Sequence, residues 1–190
     1  MAAPLETAWC ESQYTRRGAS RTNRVPSRAM TTETPHGTTR ILFVCSGNIC
    51  RSPLAAAVFT HLAKAQGLER KFQVDSAGTH GWHEGEPADP RARRVAGRHG
   101  IPVESVARPV RTADFENFDL ILAMDRGHLR ELRSRCPAAY RDKIRLMRSF
   151  DAPGGEQDVP DPYYDDMDAF EETFTILRRC CLNLLHEQQS

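Results

Sequence analysis

A thiol and a guanidinium bracket a loop of five residues in the stretch ILFVCSGNICRSP, with Cys45 at one end and Arg51 at the other. An apolar run that reads as a strand (Ile41, Leu42, Phe43, Val44) leads into the loop. An Ala/Leu-rich run that reads as a helix, residues 54–65, leads out of it. A strand-loop-helix turn of this kind aims successive backbone N–H groups, and the positive end of the helix, at one point. An oxyanion of phosphate size fits there, and Arg51 can add a fork to two of its oxygens. Thiols in such surroundings are favoured as thiolates, and the thiolate is the nucleophile. The loop therefore reads as a phosphate site with an attacking group built in. The plainer alternative is that Cys45 is a small core residue closing a buried strand. Against that stand Gly47, which permits close backbone approach, the hydroxyl of Ser52, and Pro53, whose missing N–H costs nothing in a first helical turn.

Beyond residue 39 strand and helix signals alternate. Strands are expected at residues 40–44, 72–76, 119–124 and 144–147. Helices are expected at 53–66, 90–99, 126–135 and 166–187, the first two followed by Gly67 and Gly100. In the last helix Phe170, Phe174, Leu177, Cys181 and Leu184 share one face and are the expected core contacts. Cys180 lies beside that stripe, and both cysteines read as chemical bystanders. Alternation of this kind argues an α/β fold: one domain, residues 39–190, in three α/β/α layers around a four-stranded parallel sheet of flavodoxin-like type. Ligands in such sheets sit beyond the carboxyl ends of the strands, where Cys45, Ser76 and Asp125 fall.

Charge is nearly balanced, 26 Lys and Arg against 25 Asp and Glu, so net charge suggests neither nucleic acid nor a membrane surface as partner. No apolar run approaches the roughly 18 to 20 residues that span a bilayer. The six cysteines lack zinc-ligand spacing and the density of a small secreted scaffold, which suits reduced thiols in a cytoplasmic compartment. Residues 1–38 are rich in Arg, Ser and Thr, poor in aliphatic side chains and without period, so disorder is expected there. The same composition resembles an organelle transit peptide. An unstructured extension, or translation starting at Met30, is the simpler reading.

A thiolate that attacks a phosphate monoester expels an alkoxide or phenoxide, which needs a proton from the far side. Asp161 stands between Pro160 and Pro162, on a stretch largely barred from helix. Asp158, Asp165 and Asp166 nearby are expected to favour its protonated form by like-charge repulsion. The alternative is a solvated acidic loop in which Asp165 or Asp166 caps the last helix. Tyr163 and Tyr164 either wall a cleft, stacking on an aromatic leaving group, or pack on the helix below.

Taken together, VCSGNICRSP, Asp75-Ser76-Ala77-Gly78-Thr79, Leu122-Ala123-Met124-Asp125 and Asp161-Pro162-Tyr163-Tyr164 resemble, in order, the landmarks of the low-molecular-weight protein tyrosine phosphatases. The resemblance runs from about residue 39 onward. It implies hydrolysis of phosphotyrosine, and of small aryl phosphates, through a phosphocysteine on Cys45. Arg51 would bind phosphate, and Asp161 would serve as acid and then base. Ser46, Gly47, Asn48, Ile49, Cys50 and Ser52 would form the phosphate loop, supported by Ser76 and His99, with Asn48 suited to a left-handed backbone inside it. Asp125 would orient Arg51, or simply cap the helix that follows it. Trp82 and His83 would wall the substrate cleft, unless Trp82 instead pins a glycine loop to the core. Cys50 would form a reversible disulfide with an oxidised Cys45. No metal or cofactor is implied, and the expected form is a monomer acting on phosphotyrosine proteins or small aryl phosphates.

Three competing readings share the loop. Arsenate reductases need a relay of further cysteines, and neither Cys136 nor the pair Cys180/Cys181 has that spacing. Phosphoarginine phosphatases tend to carry Thr and Phe where this chain has Ile49 and Tyr163, and a bulky Ile49 favours a flat aryl ester. A binding-only or redox-sensing module would have lost a member of the set Cys45, Arg51 and Asp161, all of which are present.

Overall fold

The computed structural model describes residues 37–151 and 157–189. The expectations for the amino-terminal extension, Cys10 included, lie outside the described residues. Four strands form one sheet: β1 (Thr39–Cys45), β2 (Phe72–Gly78), β3 (Leu120–Ala123) and β4 (Ile144–Leu146). Their order is β2-β1-β3-β4 and every pairing is parallel. Successive strands are joined through helices α1 (Arg51–Ala65), α2 (Pro90–Arg98), α3 (Thr112–Asn117) and α4 (Arg126–Arg135), and α5 (Met167–Glu187) follows the last strand.

The central strands β1 and β3 are almost continuously apolar because both faces of the sheet are covered there, while the edge strands β2 and β4 carry polar side chains such as Gln73, Asp75 and Arg145. In β1, Ile41, Phe43 and Cys45 face a core shared with α1, α2 and α5, while Leu42 and Val44 face a second core shared with α3 and α4. Each fully buried Leu, Ile or Phe in these layers contributes about 1.5 to 3 kcal/mol over the exposed state. The chain leaves β1 for β2 on one side and returns to β3 on the other, so the crevice at the carboxyl end of β1 lies where the winding reverses. Cys45 is the last residue of that strand.

Several boundaries differ from expectation for local reasons. The second strand runs on to Gly78 because Cys45 and Gly78 are partners in the ladder. The third starts one residue later, since the Asp119 carboxylate is taken up by the backbone and guanidinium of Arg40. Helix α3 was not anticipated: it is only six residues long and buries just Asp114 and Phe115, too few to show a period. The whole expected face of α5 is buried, and the buried stripe is broader than expected, taking in Thr173, Ile176, Leu185 and Cys180. Cys180 is therefore a core residue rather than a neighbour of the stripe, and burial pushes its thiol up to about 12.

Candidate active site

The loop between β1 and α1 is held open from outside. Thr79 N–H donates to the Cys45 carbonyl (2.8 Å), His80 N–H to that of Ser46 (3.0 Å), and Asp89 N–H to that of Ile49 (2.8 Å). In a trans peptide the next N–H points opposite to its carbonyl. Tying these carbonyls outward therefore turns the N–H groups of Ser46, Gly47 and Cys50 toward the loop interior. Helix α1 adds to this field: Cys50 at its N-cap position provides no side-chain cap, and its first turn carries no acid. Asn48 adopts the left-handed backbone expected of it, φ 59°. Its amide donates to Ser52 Oγ and Ser76 Oγ, both at 2.9 Å, and its Oδ1 accepts from the Arg108 N–H at 3.0 Å, so the buried side chain braces the loop on three sides. Ser52 Oγ in turn lies 3.0 Å from Cys45 Sγ.

Gly78 is the closest outside support. A Cβ there would lie 2.6 Å from the Ser46 carbonyl and 2.7 Å from that of His80, both backbone atoms that cannot swing away. Gly78→Ala is expected to destabilise the protein by about 2 to 3 kcal/mol and to lower kcat/KM on an aryl phosphate by about tenfold, read by thermal unfolding and initial rates. Wild-type values for both would mean the loop tolerates displacement.

Arg51 is 3% exposed and fully enclosed by acceptors on one side. Its Nη1 donates to Asp125 Oδ2 at 3.0 Å and to the Val159 carbonyl at 3.2 Å, and its Nη2 to Asp161 Oδ2 at 2.5 Å. Its buried Nε makes no hydrogen bond among the described residues, which leaves a donor for an anion. Both readings of Asp125 hold together: Oδ1 caps α4 by accepting from the His128 N–H at 2.8 Å, while Oδ2 orients Arg51. Burial would push the Asp125 carboxyl up, but bonds and charge from His128 and the charge of Arg51 outweigh it and hold the group far below the usual carboxylate range. Arg51 thus faces a partner whose ionised form is favoured.

Sequence reasoning overlooked His128. The buried ring has Nε2 2.8 Å from Ser46 Oγ and Nδ1 3.0 Å from Asp125 Oδ2. One imidazole thereby bonds a loop residue through Nε2 and lies at ion-pair distance from the carboxylate behind Arg51, its Nδ1 making no hydrogen bond among the described residues. The spacing Asp125-x-x-His128 at a helix start was the available signal.

Asp161 lies on the segment between β4 and α5, its side chain 48% exposed. Of the three acidic neighbours expected to act on it, Asp158 and Asp166 have partners of their own. Asp158 is paired with Arg126, Asp166 caps α5 by accepting from the Asp168 and Ala169 N–H groups, and the partner of Asp161 is the cation Arg51.

A cleft of about 420 Å³ opens above the loop, with Cys45 and Arg51 at its base and Ser46, Gly47, Ile49 and Cys50 around them. Trp82, His83, Asp161, Tyr163 and Tyr164 form its rim. Trp82 is 68% exposed and stacks on His80 with ring centroids 4.1 Å apart, so it does not pin the loop to the core. Tyr164 is 94% exposed and meets Tyr163 edge-on at 4.9 Å. His83 packs over Gly47, where a Cβ would meet its ring at 2.8 Å, and bonds Glu86. Cys50 is buried in the loop, and burial together with nearby Asp89, Cys45 and Asp161 pushes its thiol well up. His99 does not reach the site. It closes α2 half-exposed, stacks on Phe174 at 4.2 Å and faces Glu171. The support expected of it comes from the Arg108 backbone instead.

The family model described as low molecular weight phosphotyrosine protein phosphatase matches residues 40–190. The chain is 48% identical over 152 residues to a low molecular weight protein-tyrosine-phosphatase of Streptomyces coelicolor, covering 78% of this chain and 92% of the relative. It is 42% identical over 152 residues to the human low molecular weight phosphotyrosine protein phosphatase, covering 79% and 96%. Its fold superposes on the crystal structure of a protein tyrosine phosphatase from Entamoeba histolytica with Hepes in the active site. The TM-score is 0.77 at 43% identity, covering 80% of this chain and 97% of that one. With the loop, the guanidinium and the acid loop in place, the chain belongs to the low molecular weight phosphotyrosine protein phosphatase family.

Proposed function

We propose that the protein hydrolyses phosphotyrosine in protein substrates by way of a phosphocysteine. The observation that carries this reading is Cys45 Sγ on the floor of a loop whose guanidinium, Arg51, is buried and already aimed by Asp125. The phosphoryl group enters with its oxygens toward the loop N–H groups and Arg51, where charge that develops in the transition state meets fixed dipoles. The Cys45 thiolate attacks phosphorus in line. The S–P bond forms as the bond to the phenolic oxygen breaks, and Asp161 passes a proton to that oxygen. Water then attacks the phosphocysteine, Asp161 takes its proton, and the S–P bond breaks to release inorganic phosphate. Ser52, which accepts from Asn48 and donates to the Ala77 carbonyl at 3.3 Å, can turn that hydroxyl proton to the departing thiolate 3.0 Å away.

Three residues of the cleft favour an aryl ester. Ile49, nearly buried at the cleft, and the exposed faces of Trp82 and Tyr164 offer apolar surface to a flat ring. The phosphate charge is met by backbone amides and Arg51, so turnover should need no metal.

The test is hydrolysis of para-nitrophenyl phosphate in a chelator, beside peptides carrying phosphotyrosine, phosphoserine or phosphoarginine. Release from phosphotyrosine alone among the peptides is the expected result. Preference for phosphoarginine would replace the substrate class, and silence on every ester would refute the phosphatase.

A further inference from the structure

The segment that bears Asp161 lies outside any helix or strand between residues 157 and 166, and something must hold it in register with Cys45. On the amino-terminal side Arg148 Nη1 donates to the Asp158 carbonyl at 3.2 Å, Thr173 Oγ1 donates to the Pro160 carbonyl at 3.5 Å, and a further tie is Val159. Its N–H donates to the Met124 carbonyl at 2.8 Å and its carbonyl accepts from Arg51. On the carboxyl-terminal side the tie is Arg91. Its Nη2 donates to the Tyr163 carbonyl at 2.9 Å and its Nη1 to the Asp165 carbonyl at 3.0 Å.

Arg91 is itself fixed. Its Nε and Nη2 fork onto the two oxygens of Asp89 at 3.1 and 2.9 Å, and its guanidinium lies 4.6 Å over the Phe170 ring. Asp89 is nearly buried, caps α2 ahead of Pro90, and donates its N–H to the Ile49 carbonyl of the phosphate loop at 2.8 Å. One strut, Asp89 with Arg91, therefore touches the nucleophile loop at one end and the acid loop at the other.

We infer that Arg91, carried by Asp89, is a positioning residue that sets where Asp161 delivers its proton. The inference rests on the phosphatase reading. A planar guanidinium can fork a carboxylate and still reach two carbonyls, whereas an ammonium is a single point and cannot hold all four bonds. Displacement of a reacting group by about 1 Å is worth up to about a hundredfold in rate. A loop loosened on its carboxyl-terminal side should lose part of that.

The experiment compares kcat/KM for para-nitrophenyl phosphate, a good leaving group, and phenyl phosphate, a poor one. The proteins are the wild type, Arg91→Ala, Arg91→Lys, Asp161→Ala and the double variant Arg91→Ala/Asp161→Ala. The expected losses for both Arg91 variants are about tenfold on phenyl phosphate and no more than about threefold on para-nitrophenyl phosphate. With Asp161 already gone, removing Arg91 should cost no more than about twofold on either ester, because it acts through that carboxylate. A merely structural role would lower both esters alike and add in full to Asp161→Ala, and that result would overturn the inference, as would no loss at all. Should Arg91→Ala fail to fold, Arg91→Lys decides, since its stem keeps the packing on Phe170. Wild-type inactivity on both esters would sink the phosphatase reading; an active wild type indifferent to Arg91 sinks only this inference.

Discussion

Cys45→Ser is expected to lower kcat/KM on aryl phosphates by about ten-thousandfold or more while leaving phosphate binding within about threefold of wild type. The two halves of this expectation have separate causes. Turnover needs a group that is a strong nucleophile and also a competent leaving group in the second step. A serine hydroxyl is neither, and His128 is held by Ser46 and Asp125 rather than by residue 45. Binding needs the loop N–H groups and Arg51, and these are held by ties that bypass the thiol. The Cys45 contribution to the frame is its backbone carbonyl, which accepts from Thr79, and this survives the substitution. The side-chain contact with Ser52 Oγ is replaced by a contact between two hydroxyls. Inhibitor titration with inorganic phosphate, by calorimetry on the variant and by competition on the wild type, reads the second half. Turnover within tenfold of wild type would remove Cys45 from its role. Loss of turnover and binding together would mean that the thiolate helps shape the nest.

The parts of this architecture that were readable from sequence are those whose partners lie close along the chain. The phosphate loop is one: Cys45, Asn48, Arg51 and Ser52 fall within eight residues, and the Cys45–Ser52 and Asn48–Ser52 contacts span seven and four positions. The start of α4 is another, because Asp125 caps it from the adjacent residue, and that helix was anticipated to the residue. Helix α2 has the same legibility, with Asp89 and Pro90 as cap and first position. What could not be read depends on groups brought together by the winding of the sheet. Ser46 and His128 are 82 positions apart, and Arg91 and Asp165 are 74 apart. A single sequence shows an arginine after a proline and a histidine on a helix, with nothing to say which carbonyl or hydroxyl each will meet. His99 shows the converse error. A role taken from family likeness was placed on a histidine that ends a helix against Phe174, while a backbone N–H performs the bracing. The acidic cluster around Asp161 misled for a related reason. Charges adjacent in sequence were dispersed by partners from elsewhere, Arg126 for Asp158 and the α5 amides for Asp166.

Asp161→Ala is expected to cost about a thousandfold in kcat/KM on phenyl phosphate and about tenfold on para-nitrophenyl phosphate, within the range of about a hundredfold to ten-thousandfold that a general acid supplies to a demanding leaving group. The difference arises because a nitrophenolate departs with little proton transfer, whereas a phenolate is a strong enough base to need it. The structure adds a second consequence. Asp161 Oδ2 sits 2.5 Å from Arg51 Nη2, so in the free protein this carboxylate occupies a prong of the guanidinium that phosphate must use. Entry of the phosphoryl group is expected to displace the carboxylate from Arg51, after which it takes up a proton from solvent and faces the leaving oxygen as the acid. Removing the side chain removes the competitor, and Arg51 keeps Asp125 as its anchor at 3.0 Å. Inorganic phosphate should therefore inhibit Asp161→Ala at least as well as wild type, even as turnover collapses. Asp161→Asn separates the two effects: it retains a hydrogen-bond acceptor for Arg51 but has no carboxyl proton to give. The expected pattern is an equal rate loss in the Asn and Ala variants, with phosphate affinity raised most in the latter. A series of aryl phosphates spanning leaving-group basicity makes the comparison quantitative, through a steeper dependence of log kcat/KM on phenol pKa in both variants than in wild type. Parallel lines for the three proteins would take the proton-donor role away from Asp161 and leave it only its ion pair with Arg51.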